Sequence, residues 1–283
     1  MTDKLNATQL MLRSLSLSIV LVIGIWACQD SPPPQPNRFR LIKTQRIYDF
    51  LDLDPARFDT TTFTYQYDDA GKLISATNTF VSVHLSSYIS TFRYNDLNQL
   101  VEVKSLRDKD TFPSYPDASP GTIITYEYDK PGNITAINVY TIQSTGYRFL
   151  KEEYKLAYNE GKKPASLSWK FNYGSQFDPY RYEDYVFTYE NDNITSMAIT
   201  ANPVRSNGYK SSTYTRALRY DNKINPFYQL TGVPLFSYDY IANLSKNNLL
   251  VNDEVYSYDR NNLLVKSTNT NGKISTTYFY ESY

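Results

Sequence analysis

The sequence predicts an all-β protein, an antiparallel meander of repeated β-hairpins that forms a strongly curved sheet or a barrel-like roll. Three observations predict it. Tyrosine is heavily used, at 28 residues against 10 glycines, and tyrosine is a strand former with an apolar ring and a polar tip. Aromatic residues alternate with polar ones over short runs, the period of a half-buried strand. A turn signature beginning Tyr-Asp or Tyr-Asn recurs roughly every 30 residues, enough for two strands and two turns.

The N-terminus stands apart from this pattern. Lys4 and Arg13 precede an apolar run, Leu15 to Ala27. The run suits a secretory signal and is short of the roughly 20 residues that span a bilayer as a helix. Met11-Leu12-Arg13 leads directly into it and offers a second start site besides Met1. The run ends at Ile25-Trp26-Ala27-Cys28, and Cys28 is the one cysteine of the chain. This tetrapeptide resembles the bacterial lipobox, with Trp26 where a small residue is usual. The resemblance implies cleavage before Cys28 and a diacylglycerol on its sulfur. Residues 1–27 are therefore read as a lipoprotein signal peptide. Residues 28–38 follow as a tether, whose Pro32-Pro33-Pro34-Gln35-Pro36 favours an extended polyproline spacer.

Residues 39–283 are read as a single β domain. Its clearest copies are Tyr65-Gln66-Tyr67-Asp68, Phe92-Arg93-Tyr94-Asn95, Tyr126-Glu127-Tyr128-Asp129 and Tyr256-Ser257-Tyr258-Asp259. Weaker ones contain Tyr158, Tyr189 and Tyr220, and Tyr278-Phe279-Tyr280 is a half-copy. Asp or Asn suits the first position of a type I turn. Four residues after the Tyr stand Gly71, Asn98, Gly132 and Asn262, types that tolerate a left-handed backbone. A type I turn followed by a left-handed residue makes a three-residue hairpin loop with a G1 bulge. That register places Tyr67 opposite Leu73, Tyr94 opposite Leu100 and Tyr128 opposite Ile134. The turns after Tyr158, Tyr189 and Tyr220 depart from the pattern, and other loop types are expected there. At two strands per repeat the sheet has about 14 to 16 strands. Residues 107–121 read as a long loop, and 236–246 as one short helix.

The repeated aromatic-x-Tyr-Asp-x-x-Gly-x-Leu copies resemble the YD repeats of Rhs and teneurin-type proteins. Together with the lipobox, Asn225-Pro226-Phe227 and Leu244-Ser245-Lys246-Asn247-Asn248, they resemble uncharacterised Bacteroidetes lipoproteins. The resemblance covers residues 40–283 and implies a porin-like β fold and a place in the cell envelope at the outer membrane. It implies no activity.

Composition narrows the function. Lys+Arg and Asp+Glu are both 29, and with no long basic tract nothing points to nucleic acid. One His and one Cys exclude a multi-His or multi-Cys metal site and an internal disulfide framework. His84 lies among Ser82, Ser86 and Ser87, but Gly-x-Ser-x-Gly is absent, and a strand histidine explains it. Paired carboxylates occur at Asp68-Asp69, Glu152-Glu153, Glu183-Asp184 and Asp253-Glu254; Glu152 and Glu153 are adjacent in a strand, so they point to opposite faces. No calcium loop of the Asp-x-Asp-x-Asp-Gly type occurs. Neither the Tyr-rich face nor the intervening face, which carries Arg93, Glu127 and Arg219, suits the lipid-facing band of a spanning barrel. Trp169, Phe171, Tyr173 and Tyr182 form the densest aromatic stretch and are the candidate stacking residues. No catalytic residue, metal or cofactor is expected. The reading is a lipid-anchored, non-enzymatic binding or scaffolding module whose ligand is a protein or glycan. Alternatives are a carbohydrate- or peptide-binding surface built on those rings, and a cell-surface hydrolase.

Overall fold

The structure, a computed structural model, describes residues 39–49, 58–81, 87–108, 121–160, 163–172, 179–203, 211–228, 244–250 and 254–283. The chain divides into two units, 1–39 with 282–283, and 40–281. The account below concerns the second.

The described residues form 17 strands. In chain order these are β1 (Phe39–Asp49), β2 (Phe58–Tyr67), β3 (Leu73–Val81), β4 (Tyr88–Tyr94), β5 (Leu100–Arg107) and β6 (Gly121–Tyr128). Next are β7 (Ile134–Ile142), β8 (Arg148–Tyr158), β9 (Pro164–Asn172), β10 (Pro179–Glu190), β11 (Asn193–Pro203) and β12 (Ser212–Ala217). The last are β13 (Tyr220–Ile224), β14 (Asn247–Leu249), β15 (Glu254–Tyr258), β16 (Leu264–Asn269) and β17 (Ile274–Ser282).

Fifteen of them make one sheet in the order β12 back through β1, then β17, β16 and β15. Every neighbour pair from β12 to β1 and from β17 to β15 is antiparallel, as a hairpin meander requires. The sheet is not closed into a barrel, since β12 and β15 are its two edges. The remaining pair, β13 and β14, forms a small sheet of its own.

The hairpin register agrees with the turn chemistry. Tyr67 pairs with Leu73, Tyr94 with Leu100 and Tyr128 with Ile134. Gly71, Asn98, Gly132 and Asn262 all have positive φ, between 61° and 92°. Each turn is closed in the same way. In the first, Asp68 N donates to Lys72 O at 2.9 Å and Gly71 N to Asp68 O at 2.9 Å. The Asp68 carboxylate also accepts from Lys72 N at 2.8 Å. That bond explains the preference for Asp or Asn after the tyrosine.

The three divergent turns resolve differently. After Tyr158 the same register returns, contrary to expectation: Tyr158 pairs with Pro164, and Asn159 N donates to Lys163 O at 3.0 Å. Backbone closure fixes that register even though Gly161 is displaced in sequence. The turn after Tyr189 is the shorter one. Glu190 pairs with Asn193, and Asn191 and Asp192 between them have φ of 49° and 68°. Two left-handed residues in a two-residue loop are the type I′ solution. Tyr220 starts no local hairpin, because β13 pairs instead with β14, Tyr220 opposite Leu249 and Ile224 opposite Asn247. Of the helix expected over 236–246, residues 236–243 lie outside the described residues, and 244–246 form a turn that enters β14. The loop expected over 107–121 falls mostly at 109–120, also outside them.

One device recurs that alternation alone did not anticipate. Gln66 pairs with Ser75 while Tyr67 pairs with Leu73, so Ile74 is an extra residue on the return strand. The same shift occurs beside Tyr94, Tyr128, Tyr158, Tyr189 and Tyr258. On return strands the core positions therefore stand three apart: Leu73 and Ala76, Leu100 and Val103, Ile194 and Met197 are all buried. Ile74 is turned outward at 42 % exposure. Such bulges bend a strand and increase its twist, which is how a long single-layer sheet acquires curvature.

Candidate functional surface

The core face of the sheet is stitched by tyrosine hydroxyls. Between consecutive hairpins the backbone ladder stops short of the turns; β3 and β4 last pair at Ser75 and Thr91. Beyond that point the Tyr94 hydroxyl donates to Leu73 O at 2.8 Å. Tyr128 does the same to Leu100 O at 2.7 Å, Tyr67 to Leu41 O at 2.7 Å and Tyr280 to Leu264 O at 2.8 Å. Tyr158 also hydrogen-bonds the backbone of Ile134. Tyr94 and Tyr128 thus each face the aliphatic residue of their own turn and bond the carbonyl of the equivalent aliphatic residue in the neighbouring hairpin. This accounts for tyrosine over phenylalanine at the position: the ring packs, and its tip satisfies a carbonyl outside the ladder.

These hydroxyls lie in an apolar wall. Burial, followed by the neighbouring Tyr94, pushes Tyr128 up to about 12. Burial, with Asp129 next, pushes Tyr158 up to about 12. Tyr94 and Tyr220 are raised as well, chiefly by burial. Tyr189, in the short-turn hairpin, is the exception in bonding, because its hydroxyl is buried without a hydrogen-bond partner among the described residues.

Farther from the turns the core face carries a mixed aromatic and carboxylate cluster. Tyr154 on β8 pairs with Trp169 on β9, and Trp169 pairs with Glu183 on β10. The Tyr154 and Trp169 rings stack at 6.4 Å with 22° between planes, and Phe171 lies 6.1 Å from Trp169. One oxygen of Glu152 accepts from both the Tyr154 hydroxyl at 2.5 Å and the Trp169 indole N–H at 3.1 Å. On β10 the Tyr185 hydroxyl donates to Glu183 at 2.5 Å, and Glu183 is buried at 4 % exposure. Burial, followed by Glu152 as hydrogen-bond acceptor and charge, raises Tyr154 strongly. Beside this cluster the β7–β8 register shifts between Val139 and Tyr140, which leaves Lys151 as an extra residue with its ammonium 5.9 Å from the Phe171 ring.

The candidate stacking residues do not assemble as one platform. Trp169 and Phe171 share the core face, both half-buried. Tyr182 pairs with Lys170 and so lies on the opposite face. There its ring is 5.9 Å from the Lys170 ammonium, and its hydroxyl is 3.3 Å from Ser168 Oγ. Tyr173, His84 and Cys28 lie outside the described residues. The adjacent carboxylates divide between faces as strand geometry demands. Glu153 ion-pairs with Lys155 at 3.2 Å and Lys170 at 3.4 Å, and Asp184 accepts from Ser168 at 2.6 Å. Glu152 and Glu183 belong to the aromatic face, and the spacing Glu-x-Tyr-x-aliphatic or aromatic signals it in Glu152-Glu153-Tyr154-Lys155-Leu156 and Glu183-Asp184-Tyr185-Val186-Phe187.

A third site joins the two sequence motifs late in the chain. Asn225 N donates to Lys246 O at 2.8 Å, and Asn225 Nδ2 to Ser245 O at 3.3 Å. Ser245, Asn225 and Asn248 are all buried, at no more than 5 % exposure. Asp221 accepts from Tyr258, Lys223 N and both nitrogens of Asn248. Among the described residues, no three His, Cys, Asp or Glu side chains come together as a metal site.

No family model matches the chain, and no curated protein does. Solved structures to which it shows some similarity include a porin-like protein from Bacteroides uniformis, 15 % identical, with a TM-score of 0.47, over 85 % of this chain and 98 % of that one. Another is the Tc holotoxin pore of Photorhabdus luminescens, 16 % identical, with a TM-score of 0.32, over 76 % of this chain and 12 % of that one.

Proposed function

We propose that this chain is a lipid-anchored YD-repeat protein of the bacterial cell envelope, held at the outer membrane through Cys28, and that its sheet is a non-enzymatic binding or scaffolding surface. The observation that carries the anchor is the position of Cys28. The single cysteine of the sequence closes the apolar run at Ile25-Trp26-Ala27 and is followed at once by the proline-rich tether. A cysteine with no disulfide partner in its chain and an apolar leader before it has a ready use as a lipid acceptor. The tyrosine stitching supports the second half of the reading, since it holds successive hairpins in fixed register and so keeps an extended surface in one shape. The test is growth with a labelled fatty acid followed by envelope fractionation, comparing wild type with Cys28→Ala. Label and membrane association are expected in the wild type and lost in the variant. Unchanged labelling of Cys28→Ala would remove the anchor. Pull-down from the labelled fraction then identifies the protein or glycan bound.

A second reading, a carbohydrate- or peptide-binding surface, is favoured by the company of Trp169: half-buried, stacked on Tyr154 and bonded to Glu152. The chain has two tryptophans, Trp26 in the leader and Trp169. Emission of the processed protein therefore reports Trp169 alone. A shift in that emission on titration with cell-wall oligosaccharides or peptides supports this reading, and a flat response across both classes removes it.

A further inference from the structure

The two edges of the main sheet are joined near the turns by something other than a sheet ladder. On one side the small β13–β14 pair is tied to the start of β11. Asn193 Nδ2 donates to Asn247 Oδ1 at 2.9 Å, and Asn247 N returns the bond to Asn193 Oδ1 at 2.9 Å. Ile194 N donates to Ser245 Oγ at 3.1 Å, Ser245 Oγ donates to Tyr220 Oη at 2.8 Å, and Lys246 N donates to Asp192 O at 3.2 Å. On the other side the pair is tied to β15 and its turn. Tyr256 Oη donates to Leu249 O at 2.6 Å, Tyr258 Oη donates to Asp221, and Lys223 Nζ donates to Asn262 Oδ1 at 2.7 Å.

We propose that β13–β14 is a releasable clasp across the seam between the edge strands β12 and β15. The argument is a comparison of what each junction would lose on opening. Parting two neighbouring strands of the meander breaks a continuous backbone ladder, which for β6 and β7 runs from Gly121–Ile142 to Tyr128–Ile134. Parting the clasp from β11 breaks asparagine and serine side-chain bonds and one backbone bond, that of Lys246, and lifts Tyr220, Leu244 and Leu249 from the core they pack against. Within the clasp the ladder is short: Tyr220–Leu249 and Ile224–Asn247 are paired, extended by Leu250 N to Arg219 O and Asn225 N to Lys246 O. Regions with few backbone bonds open at the lowest free energy. Sequence separation adds to this, since Asn193 and Asn247 are 54 residues apart and their bond closes a long loop. Next to the clasp, all six residues of β12 are exposed, so that edge has little side-chain burial to hold it. Opening would widen the seam and uncover the Asn193–Ser245–Asn247 bonds together, leaving the stitched hairpins β1 to β9 intact.

Hydrogen exchange by mass spectrometry on the full lipidated chain in detergent micelles tests this. The amides of Ile194, Lys246 and Asn247 should exchange in one phase, at least about ten-fold faster than the ladder amides of β6 to β9. Asn247→Ala should speed that phase by a further ten-fold or so, with β6 to β9 changing by less than about two-fold. Equal protection of the clasp and of β6 to β9 in the wild type overturns the proposal without recourse to any variant. An Asn247→Ala effect spread evenly over the sheet, or absent altogether, overturns it as well.

Discussion

The hydroxyl of Tyr128 donates to the carbonyl of Leu100 at 2.7 Å, linking the end of one hairpin to the turn of the hairpin before it. Leu100 is at the same time the cross-strand partner of Tyr94. The relation repeats at Tyr94 and Tyr280, and Tyr67 bonds Leu41 O on β1. One residue type thus joins turn, core and neighbouring repeat.

Removing that hydroxyl should have a graded cost. Tyr94→Phe and Tyr128→Phe each leave a carbonyl without its donor and should destabilise by about 0.5–1.5 kcal/mol. Tyr189→Phe removes a hydroxyl that is buried without a partner among the described residues. It should be neutral, or stabilising by a few tenths of a kcal/mol. Urea unfolding of the three variants under identical conditions checks the order.

Alkali should unfold the protein through the same groups. Tyr128 and Tyr158 are both pushed up to about 12, from an ordinary value of 10.0. Each holds its proton more tightly when folded. Its contribution is complete below pH 10.0 and is lost as pH rises toward about 12. Spectrophotometric titration at the tyrosinate band should show a late, cooperative fraction that coincides with loss of the β signal in circular dichroism. Early, gradual ionisation of all the tyrosines would contradict this.

The left-handed turn positions should discriminate by residue type. Gly132 has φ of 92°, where a Cβ is strained, so Gly132→Ala should cost about 1–2 kcal/mol. Asn98 has φ of 61° at the equivalent place, and Asn98→Gly should stay within about 0.5 kcal/mol of wild type. Thermal melts of the two variants are sufficient to compare them.

Glu152 should matter through its two donors. Glu152→Leu leaves the Tyr154 hydroxyl and the Trp169 indole N–H without their shared acceptor, at a cost of about 1–3 kcal/mol. Glu152→Gln keeps an acceptor oxygen and should cost less. Denaturant unfolding followed by Trp169 emission measures both, and equal losses in the two variants would argue for packing alone.

What was legible in the sequence was what is decided locally. The pairing of Tyr67 with Leu73 follows from the Asp68 and Gly71 backbone requirements within a few residues, so the turn type gave the register. The extra residue on each return strand was not legible. Ile74, Val101 and Thr135 are β-branched residues that suit any strand position, and only the buried positions three apart, such as Leu73 and Ala76, betray it. The partition of Trp169 and Tyr182 to opposite faces was missed for a related reason. The two residues lie on different strands, and only the pairing of Trp169 with Glu183 and of Lys170 with Tyr182 fixes their faces. The Asn193–Asn247 pair joins residues far apart in sequence, where neither alternation nor turn chemistry has any reach.

The stitching also bears on how such a chain could change in length. Tyr94 and Tyr128 each bond the adjacent hairpin, so a hairpin of this kind inserted or lost as a whole would present its neighbours with the same tyrosine and the same carbonyl. Stability in such arrays is set between nearest neighbours. The natural increment of growth is then a complete hairpin, ending on an aliphatic carbonyl and beginning on a tyrosine. Duplication within the gene could lengthen the sheet without altering any residue already in place.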